Sequence, residues 1–233
     1  MVKIAPSDGA ASNKGKPRAA KLLRDSGPAT SSKKRTKGQQ RAEQILEIAQ
    51  DMFHNNGYTG TSMDDIAREV GILKGSLYYY MDSKEDLLYR IALAVHETVD
   101  VKLAEAAART NLSPLQRVLV YVESQILYNT ANATQMAVYH HEWRRLEGDR
   151  FRAIAHRRRQ NEAVVIGLFE EAKELGEVNP DLDTYLALVN VFAVTIWPYT
   201  WYHADGPIKP EALAEFCTNL LLNGFASKNQ TPR

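Results

Sequence analysis

The sequence predicts an all-α protein of about nine helices arranged in an N-terminal and a C-terminal group. Three observations lead there. From Gly38 onward, helix caps, apolar stripes of period near 3.6 and Gly/Pro stops follow one another. No stretch shows the period-two alternation of a strand. With 233 residues, 44% hydrophobic and 24% charged, the chain suits one medium or two small domains with a sizeable core.

The elements can be read in order. Ile45, Ile48, Ala49, Met52 and Phe53 form one face of a first helix, which Gly57 ends. Thr61 and Ser62, with Asp64 and Asp65 three residues on, make capping-box-like starts for a short second helix; Ile66, Ala67 and Val70 face inward and Gly71 stops it. A third short helix over 74–81 follows after a turn of a few residues. Ser83 caps a long helix running to about residue 109, with Leu87, Leu88, Ile91, Val95 and Val99 along one side. Ser113-Pro114 supply N-cap and N1 of the next. Further helices are expected over 132–146, 150–175, 181–204 and 210–224, and Pro198 should kink or end the third of these.

Charge is unevenly spread. Residues 1–37 hold ten Lys/Arg against Asp8 and Asp25, a net +8, while the remainder carries −7. So basic and Ser/Gly/Pro/Ala-rich a segment buries too little surface to offset its ordering entropy, and it reads as a disordered arm. It would serve either as a phosphate-attracting arm or as a solubilising tail. The single cysteine, Cys217, excludes an internal disulfide framework and a CxxC pair, which suits a reducing cytoplasmic setting. No secretory leader is expected before residue 37, and the longest apolar stretch, 186–197, is too short to span a bilayer, so no membrane partner is expected.

Two short helices joined by a tight turn suit a helix-turn-helix, in which one helix crosses the phosphate backbone and the next enters the major groove. The run from Thr61 through Lys74-Gly75-Ser76-Leu77-Tyr78-Tyr79-Tyr80 to Ser83-Lys84-Glu85-Asp86-Leu87 resembles the tetracycline-repressor (TetR) family of regulators. The resemblance implies a three-helix DNA-binding domain over 38–97 and a C-terminal domain over 98–228 that binds an effector and forms a homodimer. Carried over by position, Ser62 and Met63 lie at the phosphate-facing start of the second helix. Lys74, Gly75 and Ser76 open the base-reading helix, Tyr78 and Tyr80 touch the backbone, and Lys84 is the phosphate-binding lysine. Ile66, Ala67 and Leu77 fit the motif's core. The chain departs from the family at Met81, where an aromatic is usual, and at Leu73, where polar residues are frequent. Three consecutive tyrosines point about 100° apart, so one packs inward and at least one faces out. Residues 38–84 carry a net −3, so affinity for operator DNA must come from a few placed cations and helix N-termini.

In the C-terminal half, Glu142-Trp143-Arg144-Arg145-Leu146, the Asn179-Pro180-Asp181 corner and Trp201-Tyr202 loosely resemble actinobacterial regulators of sterol and fatty-acid breakdown, some of which respond to coenzyme A thioesters. The expected effector is therefore an apolar small molecule such as an acyl- or steroid-CoA. Trp143, Phe169 and Trp197 would contact its apolar part, and Arg157 and Arg158 its phosphates. A filled core and a solvated, ion-paired face are the alternative readings of those residues. Leu213, Phe216, Cys217, Leu220 and Leu221 give the last helix an apolar face for a dimer seam or for packing within the subunit. His140 and His141 point in different directions on a helix, and no HExxH spacing exists, so no metal or other cofactor is expected. The chain lacks a phosphate loop and a nucleophile elbow, which argues against an enzyme. An effector-insensitive architectural DNA-binding protein is the competing reading.

Overall fold

The computed structural model describes residues 36–226; the basic arm expected over 1–37 lies outside them but for its last two residues. Among the described residues the chain is helical without strands; one isolated antiparallel bridge joins Val178 to Ala226. The helices are α1 (Lys37–Asn56), α2 (Met63–Val70), α3 (Lys74–Tyr80), α4 (Lys84–Ala107), α5 (Pro114–Ala131), α6 (Ala133–Glu142), α7 (Gly148–Glu174), α8 (Thr184–Ile196) and α9 (Pro210–Phe225).

The capping signals act where the sequence puts them. Ser62 and Asp65 form a reciprocal capping box at α2, as do Ser113 and Gln116 at α5, where Pro114 takes N1. Ser83 accepts from the Asp86 amide to open α4. Gly71 ends α2 at φ 74°, a left-handed geometry that lets its amide reach the carbonyls of Ala67 and Arg68. The expected helix over 181–204 stops earlier: α8 closes at Ile196 and tightens into a 3-10 turn over Trp197–Thr200, because Pro198 has no amide to donate. The helix expected over 132–146 likewise ends in a 3-10 turn, Trp143–Arg145.

Two apolar cores organise the molecule. One gathers α5, α7, α8 and α9 with the far end of α4, around Phe169 and Val118. The other contains Ile45, Ile66, Leu77 and Leu87 from the first four helices, and also Met136, Val138, Tyr139 and Trp143 from α6 and its 3-10 turn, with Ile154 of α7. The core of the N-terminal helices is thus completed by residues well beyond 97, and α6 packs directly on α1.

On α9 the apolar stripe divides. Leu213, Cys217 and Leu221 are buried within the subunit, whereas Phe216 is 65% exposed and Leu220 is also exposed. On α8, which touches α9, Leu186 and Val189, with Trp197 of the 3-10 turn that follows, form a second exposed apolar row.

Candidate nucleic-acid interface and ligand cavity

The short helix α3 presents its N-terminal end to solvent. Leu73, its N-cap, is 80% exposed and Tyr79 is 85% exposed; Lys74, Gly75, Ser76 and Tyr78 are exposed as well. A Cβ on Gly75 would meet no atom within 4 Å, so this end offers a backbone that another surface can approach closely. Leu77 is fully buried and Tyr80 packs against the N-terminal core, so that of the three tyrosines Tyr79 points out furthest. Sequence reasoning assigned Tyr79 no contact, although the 100° stepping already required one outward ring.

Several expected contact residues already have partners. Lys74 Nζ lies 2.7 Å from Asp64 Oδ2, both side chains well exposed, and that carboxylate raises the lysine's pKa. Ser62 caps α2 and donates to Asp65 Oδ2 at 2.6 Å. Met63 is half-buried against the core. Lys84 Nζ donates to the carbonyls of Tyr58 at 2.8 Å and Thr61 at 2.9 Å, and sits 4.4 Å from the centroid of the Tyr58 ring. It fastens the loop that precedes α2 and thereby sets where that helix begins.

The effector residues scatter. Phe169 is fully buried in the C-terminal core, edge-on to Phe225 at 5.2 Å. Trp143 belongs to the N-terminal core, stacked on Phe151 at 5.5 Å and under the Arg158 guanidinium at 4.8 Å. Trp197 is 63% exposed at the start of the 3-10 turn after α8, and Arg157 is paired with Asp100 at 2.6 Å. Arg158 alone of the five lines the cavity described next. Large aromatic side chains were expected to line a pocket, but close packing and an outward helix face claim them first.

That cavity, about 60 Å³, lies where α4 to α8 meet. Its apolar wall includes Val95, Val99, Met136, Phe192 and Ile196, and its polar wall His96, Gln125, Asn129, His140, Asn161 and Glu162. Tyr139 joins the two: its hydroxyl is 2.8 Å from His96 Nε2 and 3.2 Å from Arg158 Nη1. Burial, with the nearby Arg158 charge, depresses the His96 pKa to about 4 and that of His140 to about 3, so both rings are neutral near pH 7. His140 also stacks on Tyr199 at 5.3 Å. Gln125 and Asn129 stand four residues apart on α5 and are almost completely buried. Polar residues set at helical spacing inside an apolar stripe were the available signal for this wall.

Contacts tie the cavity region to the N-terminal helices. Arg150 of α7 reaches Glu85 and Asp86 at the start of α4, and the Glu147 amide donates to Glu85 Oε1 at 3.0 Å.

A short solvent-facing helix that follows another across a tight turn, on a small three-helix unit carried by a helical domain, is the helix-turn-helix arrangement of DNA-binding regulators of transcription. Residues 45–91 match the model of the tetR family of bacterial regulatory proteins, and residues 111–225 match that of the tetracyclin repressor-like C-terminal domain; the chain belongs to this family, a class of regulators rather than enzymes. It is 26% identical over 189 residues to the transcriptional repressor KstR2 of Mycobacterium tuberculosis (strain H37Rv), covering 81% of this chain and 94% of the relative. The solved structure of the M. tuberculosis ketosteroid regulator KstR2 superposes with a TM-score of 0.76 at 26% identity, over 81% of this chain and 96% of that one. PfmR of Thermus thermophilus gives 0.70 at 26% identity, over 77% and 97%. AibR, solved in complex with isovaleryl coenzyme A and operator DNA, shares the fold with a TM-score of 0.71 at 24% identity, over 78% and 98%. Among the described residues no helix is long and apolar enough to cross a membrane.

Proposed function

We propose that this regulator is a cytoplasmic, homodimeric repressor whose hold on an operator is loosened when an apolar effector enters the α4–α8 cavity. One observation carries the reading: α6 gives Met136 and Tyr139 both to the cavity wall and to the core of the N-terminal helices, and it packs on α1. The cavity has room for a few water molecules as it stands. A larger ligand must part its walls, and a displaced α6 carries α1 and the reading helix with it. The similarity to KstR2, a transcriptional repressor and ketosteroid regulator, favours repression and a steroid-like or acyl effector. A coenzyme A thioester would place its phosphates near the arginines of 144–159, of which Arg144, Arg145, Arg152 and Arg159 are exposed. Lys74, Gly75 and Ser76 would read bases, with Ser62, Met63, Tyr78, Tyr80 and Lys84 setting the approach of the backbone. The basic arm adds counterion-release affinity.

The test is a shift assay on DNA upstream of the gene, titrated with acyl- and steroid-CoA thioesters and their free acids. A thioester should release the DNA by roughly 5- to 150-fold in affinity, at lower concentration than its acid. Equal binding to all DNA, with no response to any compound, would make the protein an architectural DNA-binder and overturn the proposal.

A further inference from the structure

Four of the residues that line the cavity hold a buried polar atom with no hydrogen-bond partner among the described residues: His96 Nδ1, Gln125 Oε1, His140 Nε2 and Asn161 Nδ2. Such atoms are uncommon in folded proteins, and four around one cavity form a polar template.

The surrounding network determines the character of two of them. The Thr195 carbonyl only accepts, so Asn129 offers it Nδ2 at 2.7 Å; Asn129 Oδ1 then accepts from Gln125 Nε2, also at 2.7 Å. Gln125 Oε1 is left as a buried acceptor. Arg158 Nη1 only donates, so the Tyr139 oxygen accepts from it, and the hydroxyl proton, which would otherwise be buried without an acceptor, goes to His96 Nε2. A neutral His96 then carries its own proton on Nδ1, a buried donor. Asn161 Nδ2 is a second donor. The formal charges on the lining cancel, since Arg158 is offset by Glu162, whose Oε1 lies 3.9 Å from Arg158 Nη2.

Resting on the effector reading above, we infer that the part of the ligand enclosed by this cavity is an uncharged, oxygenated hydrocarbon: its carbonyl accepts from the Asn161 and His96 donors, and its hydroxyl donates to Gln125 Oε1. A carboxylate there would face Glu162 and have to compete with it for Arg158, whose Nη1 already donates to Tyr139, and would shed its own water to do so. Charged parts of an effector belong outside the cavity.

The experiment measures direct binding to the DNA-free full-length protein by calorimetry, with 2-decalone, 2-decalol and decalin-2-carboxylate, a matched bicyclic series. Both neutral compounds should bind about tenfold or more tighter than the carboxylate. Gln125→Met should weaken 2-decalol by about three- to tenfold and leave 2-decalone within about twofold; Asn161→Leu should do the reverse. Equal or tighter binding of the carboxylate, no binding of any of the three, or variants that shift both neutral ligands alike would each overturn the inference. If either variant fails to fold by circular dichroism, the wild-type ligand series alone decides. Neutral binding without release of operator DNA would sink the switch proposed above and leave this inference standing. Release by a thioester, together with binding of the carboxylate as tight as that of the ketone, would do the opposite.

Discussion

Arg150 on α7 donates through Nη2 to Asp86 at the N-terminal end of α4 across 3.2 Å, and Asp86 is almost entirely buried. Its other carboxylate oxygen accepts from Arg90 at 2.9 Å. The pair pins the helix that leads from the reading head to the start of α7, the same helix that supplies Arg158 to the cavity. Arg150→Met should lower stability by about 1–2 kcal/mol, because its charge-assisted bonds to Asp86 and to the more exposed Glu85 are lost while Arg90 remains on Asp86. Urea denaturation checks it; an unchanged midpoint would mean that the contact is passive.

Lys84 and Lys74 should fail in different ways. Lys84→Ala releases the loop before α2 and should cost about 1 kcal/mol while weakening all DNA sequences alike. Lys74→Ala breaks only an exposed pair with Asp64, so stability should hold while the preference among operator variants relaxes. Binding profiles over a randomised operator, beside melting curves, separate the two outcomes. Matching profiles would mean that the roles are misassigned.

The two cavity histidines predict acid sensitivity. Folding lowers the His96 pKa to about 4 and that of His140 to about 3, against about 6.5 in the unfolded chain. Below pH 6.5 the unfolded state takes up protons that the folded state refuses, so stability falls as pH drops, until the folded-state values are passed; above pH 6.5 these rings add no pH dependence. Each contributes a slope of at most about 1.4 kcal/mol per pH unit. Urea midpoints between about pH 6.5 and 4.5 should show the fall, and His140→Gln should flatten it. A slope unaffected by that substitution would place the acid sensitivity elsewhere.

Phe216 and Leu220 on α9 have no cover within the subunit. Phe216→Glu should yield monomers by light scattering, and operator affinity should drop by roughly 100-fold or more, since the second reading head no longer binds as part of the same molecule. A variant that stays dimeric would move the seam to another face.

Much of this regulator is legible in its residues alone. Ser62, Ser83 and Ser113 cap helices, Gly71 ends one, and Ile66, Ala67 and Leu77 are buried, because caps, stops and stripes act within a few residues of chain. The reading helix was legible for the same reason: its two short helices and tight turn are local, and their order is dense enough to mark the family.

The cavity wall was not legible in that way. Trp143, Phe169 and Trp197 are alike in size and hydrophobicity, yet one completes the N-terminal core, one fills the C-terminal core and one faces outward. Which of these a side chain does depends on the helix that arrives opposite it, and that partner lies dozens of residues away. The same holds for the split of the α9 stripe, where α5 covers one edge and leaves Phe216 and Leu220 bare. Local sequence by itself determined the helices and the caps at Ser62, Ser83 and Ser113, since those follow from interactions within a turn or two. Only the tertiary structure decided which polar atoms meet across α4 to α8, because burial and pairing are properties of several helices packed together rather than of any one of them.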